Sequence, residues 1–242
     1  MNAGLYIVGT PIGNLQDITL RALETLRDVS VILAEDTRQT RKLLDRHNLH
    51  TPMMSYHKFN EAARVAEIVE RLRGGEALAL VSDSGMPAVS DPGARIVAAC
   101  REAELPVFVI PGPSAVTSAA ALSGFPAPGF IFLGFLPHKP GARRRLLTQH
   151  AASSLPLILF ESPHRILRLL DDVQEVLGRR AMMVGRELTK HFEECLRGTP
   201  EELKAKFTQK APRGEFVVTI APGDGEGEEK SEYSSQNPES DS

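Results

Sequence analysis

Short apolar runs alternate with segments of helical apolar spacing along the first 220 or so residues of the chain. Runs of four to six residues bounded by turn residues predict buried strands, and apolar positions three and four apart predict helices. The predicted strands are 5–8, 29–34, 53–56, 77–81, 107–110, 130–135, 157–160, 181–185 and 216–220. Helices are predicted after Asp17, over 37–47 and 60–72, from Asp91, and over 114–123, 143–150, 163–177 and 200–207. This alternation indicates an α/β fold.

Helix ends are marked by capping residues. Asp17 and Asn60 are predicted N-caps, Asp91 followed by proline predicts another helix start, and Thr199 with Glu202 forms a capping box. Two glycines and two prolines make residues 124–129 the predicted linker. We therefore predict an N-terminal α/β domain over 1–123, a C-terminal α/β domain over 124–222, and a disordered acidic tail over 223–242.

Charge is divided unevenly between body and tail. The net charge of −3 includes a tail with seven acidic residues and one lysine, which leaves 27 Lys and Arg against 24 Asp and Glu elsewhere. A mildly basic body permits a polyanionic partner without establishing one.

Cys100 and Cys195 form no C-x-x-C pattern, and the histidines show no metal-binding spacing. We therefore expect no metal and no disulfide scaffold. The chain has no apolar stretch of membrane-spanning length and no basic segment before its first strand. The expected location is the cytoplasm, with no membrane partner.

Glycine-rich polar loops follow three predicted strands. They are residues 9–14 (GTPIGN), 82–87 (SDSGMP) and 111–114 (PGPS). Ligands bind beyond the carboxyl ends of strands in open α/β sheets, and glycine lets the backbone approach them. The loops therefore predict a small-molecule cleft, although each could also be a turn without a ligand. Neither a dinucleotide fingerprint nor a P-loop is present.

Seven motifs, taken together and in this order, carry a family resemblance. They are GTPIGN (9–14), AEDTR (34–38), SDSGMP (82–87), SDPG (90–93), PGPSA (111–115), ESPHR (161–165) and RELTK (186–190). With them the body resembles the ribosomal RNA 2'-O-methyltransferases of the small subunit, within the tetrapyrrole methylase superfamily.

The resemblance implies two α/β domains with S-adenosylmethionine in the cleft between them, and a homodimer. The implied substrate is the 2'-hydroxyl of a cytidine in the decoding region of 16S rRNA, as rRNA or small ribosomal subunit. The cofactor-binding residues that it implies are Pro11, Asp83, Ser84, Met86, Ser114 and Ala115, with Phe160, Met183 and Glu215 carried over less directly.

A ribose hydroxyl is a poor nucleophile, so a positioned base could assist its methylation. The candidates at strand ends are Asp36, Glu187 and Lys190. Basic residues that could contact RNA phosphates are Arg38, Arg41, Lys42, Arg46, Arg143, Arg144, Arg145 and Arg165. The three consecutive arginines are expected to remain partly exposed, anchored by the leucines that follow them.

Two other functions remain open at this point. One is C-methylation of a tetrapyrrole of the precorrin type, the other main activity of the superfamily. The other is a non-catalytic module that binds RNA. The motifs at 34–38 and 161–165 and the arginines at 143–145 favour the RNA methyltransferases.

Overall fold

A computed structural model describes residues 1–209 and 211–223. The predicted tail lies outside these residues except for Gly223, whose amide donates to the carbonyl of Ser153. The first half contains β1 (Gly4–Val8), a 3-10 turn (Leu15–Asp17), α1 (Leu20–Asp28), β2 (Val31–Ala34), α2 (Thr37–Arg46), β3 (Met53–Ser55), α3 (Glu61–Arg73), β4 (Ala77–Val81), α4 (Ala94–Glu102), β5 (Val107–Ile110) and α5 (Ala115–Ser123). The second half contains β6 (Ile131–Phe135), α6 (Pro140–Gln149), β7 (Leu157–Glu161), α7 (Ile166–Leu177), β8 (Met182–Arg186), β9 (Glu194–Gly198), α8 (Pro200–Gln209) and β10 (Phe216–Ile220).

The first sheet is parallel throughout, with strand order β3-β2-β4-β1-β5. Its strands are apolar on both faces, as parallel strands covered by helices on both sides must be. Alternate residues of β4 show this, since Leu78 and Leu80 belong to one core cluster, and Ala79 and Val81 to the other. Because the strands are parallel, all five carboxyl ends lie along one edge of the sheet.

The second sheet is mixed, with order β6-β7-β10-β8-β9. Only β6 and β7 pair in parallel among its described strands. One face packs on α6, α7 and α8. The other face packs on α5, where Val116 and Ala119 join Ile158, Met183 and Val217 in one buried cluster. The helix that ends the first half therefore packs on the sheet of the second.

The α/β class and the alternation of elements are confirmed, and so is the capping box. The Thr199 amide donates to Glu202 Oε2 at 2.8 Å, and the Glu202 amide donates to Thr199 Oγ1 at 3.4 Å. Asp17 as an N-cap is wrong. It closes the 3-10 turn instead, and Thr19 caps α1 by accepting a hydrogen bond from the Ala22 amide at 3.1 Å.

Two further differences have local causes. Helix α4 begins at Ala94 rather than at Asp91, because Gly93 has φ +138° and interrupts the helical backbone. Asn60 precedes α3 but does not cap it with its side chain, which instead accepts from the His57 amide and donates to the Ser55 carbonyl. Strand β9 is missed by the apolar pattern, since its short sequence ECLRG contains the charged residues Glu194 and Arg197.

A buried ion pair joins two helices of the second half. Arg143 of α6 is 3% exposed, and its Nε donates to the Asp172 carboxylate of α7. A buried charge without a partner is costly, so each member of the pair requires the other. The neighbouring Asp171 faces solvent, where it pairs with Lys204 of α8.

Asp172→Asn is expected to lower the free energy of unfolding by about 3–5 kcal/mol, because it leaves the buried Arg143 guanidinium without a counter-charge. Asp171→Asn is the matched control and should cost less than about 1 kcal/mol, because its ion pair is exposed. Urea denaturation of both variants measures the difference. Equal losses would show that the Arg143 pair is not a structural element of this domain.

Candidate active site

A cavity of about 320 Å³ lies between the two sheets, at the carboxyl edge of the first. Loops after β1, β2, β4 and β5 and the first residues of α5 form one wall, and the second sheet forms the other. Polar atoms of the strand-end loops thus face apolar side chains of the second sheet. A concave, largely apolar site with a few polar groups is typical of small-molecule binding.

The structure brings most of the predicted cofactor residues to this cavity. Those that line it are Asp83, Ser84, Met86, Ser114, Ala115, Phe160 and Glu215. Pro11 and Met183 do not line it. Pro11 is buried beside the lining residue Ile12, and Met183 packs behind Val217 in the cluster under α5.

Two glycines bring the loops after β1 and β5 into direct backbone contact. A Cβ added to Gly9 would lie 2.8 Å from the backbone of Gly112, and one added to Gly112 would lie 2.8 Å from the Gly9 carbonyl oxygen. The Gly9 Cβ would also lie 2.6 Å from the sulfur of Met86, which lines the cavity. Any side chain at either glycine would force these loops apart.

The loop after β4 is fixed to the turn after β1 by backbone hydrogen bonds in both directions. The Thr10 amide donates to the Gly85 carbonyl at 2.9 Å, and the Gly85 amide donates to the Thr10 carbonyl at 3.1 Å. Further along this loop, Ala88 and Ser90 have φ values of +66° and +65°, a conformation that costs energy for residues other than glycine. This loop carries Asp91 into the cavity wall.

Three carboxylates lie close together at this wall. The pKa of Asp91 is raised to about 6, chiefly by burial and further by the charges of Glu35 and Asp83, with a hydrogen bond from Ser82 opposing the rise. Burial also raises the pKa values of Glu35 and Asp83. One oxygen of Asp83 accepts from the Asp36 amide at 2.9 Å. Three adjacent carboxylates favour a cationic ligand and resist ionising together.

The three candidate bases are not among the residues that line the cavity. Hydrogen bonds from Arg38 hold the pKa of Asp36 at about 2, while Asp36 caps α2. Lys190 Nζ donates to Glu187 at 2.9 Å and to Glu215 at 2.8 Å. Burial raises the pKa of Glu187, but the hydrogen bonds from Lys190 and the Glu215 amide outweigh it and lower the pKa overall. All three are engaged in ion pairs beside the cavity.

Some of the predicted RNA-binding residues are in ion pairs with carboxylates, and others are exposed to solvent. Arg143 is buried against Asp172, so the expectation that it is exposed is wrong, and it presents no charge to RNA in this conformation. Arg144 pairs with Glu175, and Arg165 pairs with Glu161 while donating to the Leu136 carbonyl at 2.7 Å. Arg38 pairs with Asp36, whereas the side chains of Lys42, Arg46 and Arg145 are exposed and that of Arg41 is half-buried.

Sequence reasoning missed three carboxylates that line the cavity, Glu35, Asp91 and Glu161. Each lies in a sequence motif in which other residues, but not this carboxylate, are predicted to have a role. Glu35 precedes Asp36, and Asp91 was assigned to a helix start. Glu161 ends β7, where its Oε1 accepts from the Ser162 amide at 2.8 Å. Their signal was an acidic residue at or just past a strand end, which for Glu35 and Glu161 was visible in the sequence.

Within residues 1–209 and 211–223, no group of three or more His, Cys, Asp or Glu side chains is arranged to hold a metal ion. No helix in the same part of the chain is long and apolar enough to cross a membrane.

Asp91→Asn is expected to stabilise the protein by about 1–2 kcal/mol near pH 7.5. This is less than the pKa shift alone would give, because solvent in the cavity screens the charge. The folded-state pKa of about 6 lies above the usual value, so folding favours the protonated form. The stabilising contribution of the wild-type carboxyl is therefore present below about pH 4 and lost as the pH rises through about 6.

Urea denaturation between about pH 4 and 7.5 measures this dependence. The gain in Asp91→Asn should shrink as the pH falls. Asp45→Asn, on the exposed surface of α2, is the control and should change little. If Asp91→Asn raised the free energy of unfolding equally at every pH, the ionised Asp91 carboxylate would not be the source of the instability.

Comparison with known proteins identifies the family. Residues 4–204 match the model of the Tetrapyrrole (Corrin/Porphyrin) Methylases. A ribosomal RNA small subunit methyltransferase I of Thermotoga maritima is 47% identical over 217 residues, covering 90% of this chain and 97% of the relative. A protein of the same name from Synechocystis is 48% identical over 218 residues, covering 90% of this chain and 78% of the relative.

Solved structures share the fold at low sequence identity. Cobalt precorrin-4 methyltransferase superposes with a TM-score of 0.65 at 18% identity, covering 90% of this chain and 94% of the other. Uroporphyrin-III C-methyltransferase from Thermus thermophilus, complexed with S-adenosyl homocysteine, has a TM-score of 0.63 at 18% identity, covering 91% and 97%. By sequence and by fold, the chain belongs to the Tetrapyrrole (Corrin/Porphyrin) Methylases, a family of methyltransferases.

Proposed function

We propose that this protein transfers a methyl group from S-adenosylmethionine to the 2'-hydroxyl of a cytidine in the decoding region of 16S rRNA. The observation that carries the proposal is the cavity between the sheets, which gathers Asp83, Ser84, Met86, Ser114 and Ala115 from two separate loops. Support for an RNA substrate comes from the relatives above 40% identity, which are named for ribosomal RNA.

The cavity suits the chemistry of the cofactor. Its apolar side chains, Val116, Leu188 and Val217 among them, offer a surface for adenine. The carboxylates of Glu35, Asp83 and Asp91 suit hydroxyl donors and positive charge. Cavities of a few hundred Å³ accommodate ligands of this size.

The first turn of α5 would hold an anionic group. Ser114 precedes the helix without using its side chain as a cap, so its hydroxyl is available to a ligand next to the free amides of the helix N-terminus. When bound, S-adenosylmethionine supplies a methyl group activated by a sulfonium, so the protein has to bind, orient and exclude water.

Asp91 is the proposed proton acceptor for the ribose hydroxyl, in place of the three bases named from the sequence. It lines the cavity, and its raised pKa of about 6 makes it a stronger base than an ordinary carboxylate while leaving it largely ionised at neutral pH. Glu35 beside it keeps that pKa high.

A tetrapyrrole substrate is the second candidate, because the solved structures that share the fold include tetrapyrrole methyltransferases. Those structures are less than 25% identical to this chain and indicate the fold alone.

A homodimer is part of the proposal, since β5 is an edge strand whose Val109 is 58% exposed. We also propose that the enzyme acts in the cytoplasm and that the small ribosomal subunit, or its rRNA, is the substrate.

Incubation with methyl-labelled S-adenosylmethionine tests the function directly. The label is expected in 16S rRNA when small ribosomal subunits are the substrate, and in a 2'-O-methylcytidine after digestion. Uroporphyrinogen, offered in parallel, should remain unlabelled. Label in the tetrapyrrole and none in RNA would reverse the assignment.

Asp83→Ala is expected to weaken S-adenosylmethionine binding by about 1.5–3 kcal/mol, because a hydrogen bond to a charged acceptor is lost. Isothermal titration calorimetry measures the affinity, and circular dichroism checks the fold. Asp17→Ala, exposed in the 3-10 turn, should bind as the wild type does. Wild-type affinity in a folded Asp83→Ala protein would remove Asp83 from the cofactor site.

A further inference from the structure

Two phenylalanines are unusually exposed on loops that follow strands, Phe59 after β3 and Phe192 after β8. Phe59 is 94% exposed and Phe192 is 69% exposed. Single exposed apolar residues are common on proteins, but these two share a local arrangement. Each belongs to a tripeptide of His, Lys and Phe (residues 57–59 and 190–192), and in each the phenylalanine ring meets the histidine ring edge-on.

Phe59 lies on the side of the cavity where the carboxylates of Glu35, Asp83 and Asp91 are found. It follows β3, which pairs with β2, and the Tyr56 amide donates to the Ala34 carbonyl at 2.8 Å. Glu35, the next residue, lines the cavity. Phe59 therefore lies at the outer side of the cavity, where β2 and β3 end.

Phe192 lies on the other side. Its loop follows β8 and touches the turn after β1, where the Asn14 amide donates to Thr189 Oγ1 at 3.0 Å. Leu188 of this loop lines the cavity. In the strand order β3-β2-β4-β1-β5, the ends of β3 and β1 are three spacings apart, on the order of 14 Å. The loop after β4, with Asp83 and Asp91, lies between the two phenylalanines.

Both loops are held by hydrogen bonds, so the backbone that carries each ring is ordered before a partner binds. The Phe59 amide donates to His57 Nδ1 at 3.2 Å, and the Asn60 side chain accepts from the His57 amide at 2.8 Å. In the second loop the Lys190 amide donates to the Glu187 carbonyl at 3.0 Å, as does the Glu193 amide to the Lys190 carbonyl. Preorganised aromatic rings bind at low entropic cost.

We propose that Phe59 and Phe192 are stacking platforms for unpaired bases of the RNA substrate, one on each side of the cavity. Aromatic side chains stack on any base, and nearby cations take the phosphates. Lys58, which is exposed next to Phe59, is such a cation, and the exposed imidazole of His191 next to Phe192 can donate a hydrogen bond to a phosphate. Each ring stands among polar neighbours rather than within an apolar patch, which favours a base over a protein surface. The proposal rests on the proposed RNA methyltransferase function.

The first test measures methylation of small ribosomal subunits by Phe59→Ala and Phe192→Ala. Each is expected to lower kcat/KM by about 5- to 150-fold, the range reported for loss of one base–aromatic stack. Phe→Trp or Phe→Tyr at the same positions should restore it, and affinity for S-adenosylmethionine should not change. Leu20→Ala, which removes a side chain that is 80% exposed at the start of α1, is the matched control.

The second test reads stacking directly. The chain has no tryptophan, so Phe59→Trp or Phe192→Trp introduces a single fluorophore. Short single-stranded RNA should quench its emission, whereas a duplex of the same sequence should not, because its bases are already paired. Phosphate attraction alone would act on both RNAs equally.

The outcomes separate the two hypotheses. Unchanged kcat/KM in both alanine variants, or a loss that no aromatic residue restores, overturns the stacking proposal while leaving the methyltransferase function intact. A change of oligomeric mass in an alanine variant would overturn it by showing that the ring contacts protein. If wild-type protein does not methylate subunits, the proposed function fails, and the fluorescence result then decides whether these rings bind single-stranded RNA.

Discussion

The packing of α5 against the second sheet is the contact on which the site depends. The helix leaves the last strand of the first sheet and buries Val116 and Ala119 against β7, β8 and β10. Its first residues, Ser114 and Ala115, line the cavity. One helix thus sets both the separation of the two sheets and the position of its own N-terminus. If α5 moved, the polar loops and the apolar wall would no longer face each other.

Much of this arrangement could be read from the sequence because its signals are local. Apolar runs ending in Gly-rich loops identify β1, β4 and β5, and parallel pairing then places those loops at one edge. What the sequence could not show were partners distant along the chain. The three arginines of α6 look equivalent, yet successive helical residues point about 100° apart. Only Arg143 turns inward, to a partner 29 residues away.

The cluster of Glu35, Asp83 and Asp91 shows that a candidate binding site can include features that are unfavourable for the stability of the fold. Asp91 lies in a loop where Ala88 and Ser90 adopt positive φ values, and close to the carboxylates of Glu35 and Asp83. Local propensity alone reads Asp91 followed by proline as a helix start, and this is why its position was misassigned. Strained backbone and crowded like charges persist only where the surrounding structure holds them. Features of this kind often mark the part of a fold that has been shaped for ligand chemistry rather than for stability.

The cavity between the second sheet and the loops after β1, β4 and β5 has a consequence for how the molecule unfolds. The cavity that these loops border is shared by both sheets, so a ligand seated there binds neither sheet alone with full affinity. By mass action, such a ligand stabilises the pair of sheets as one thermodynamic unit. Without it, each sheet retains its own buried cluster, and the packing of α5 on the second sheet is the main contact that joins them. The cofactor would then add to the coupling that α5 provides, and its binding would favour unfolding of the two halves in a single cooperative transition.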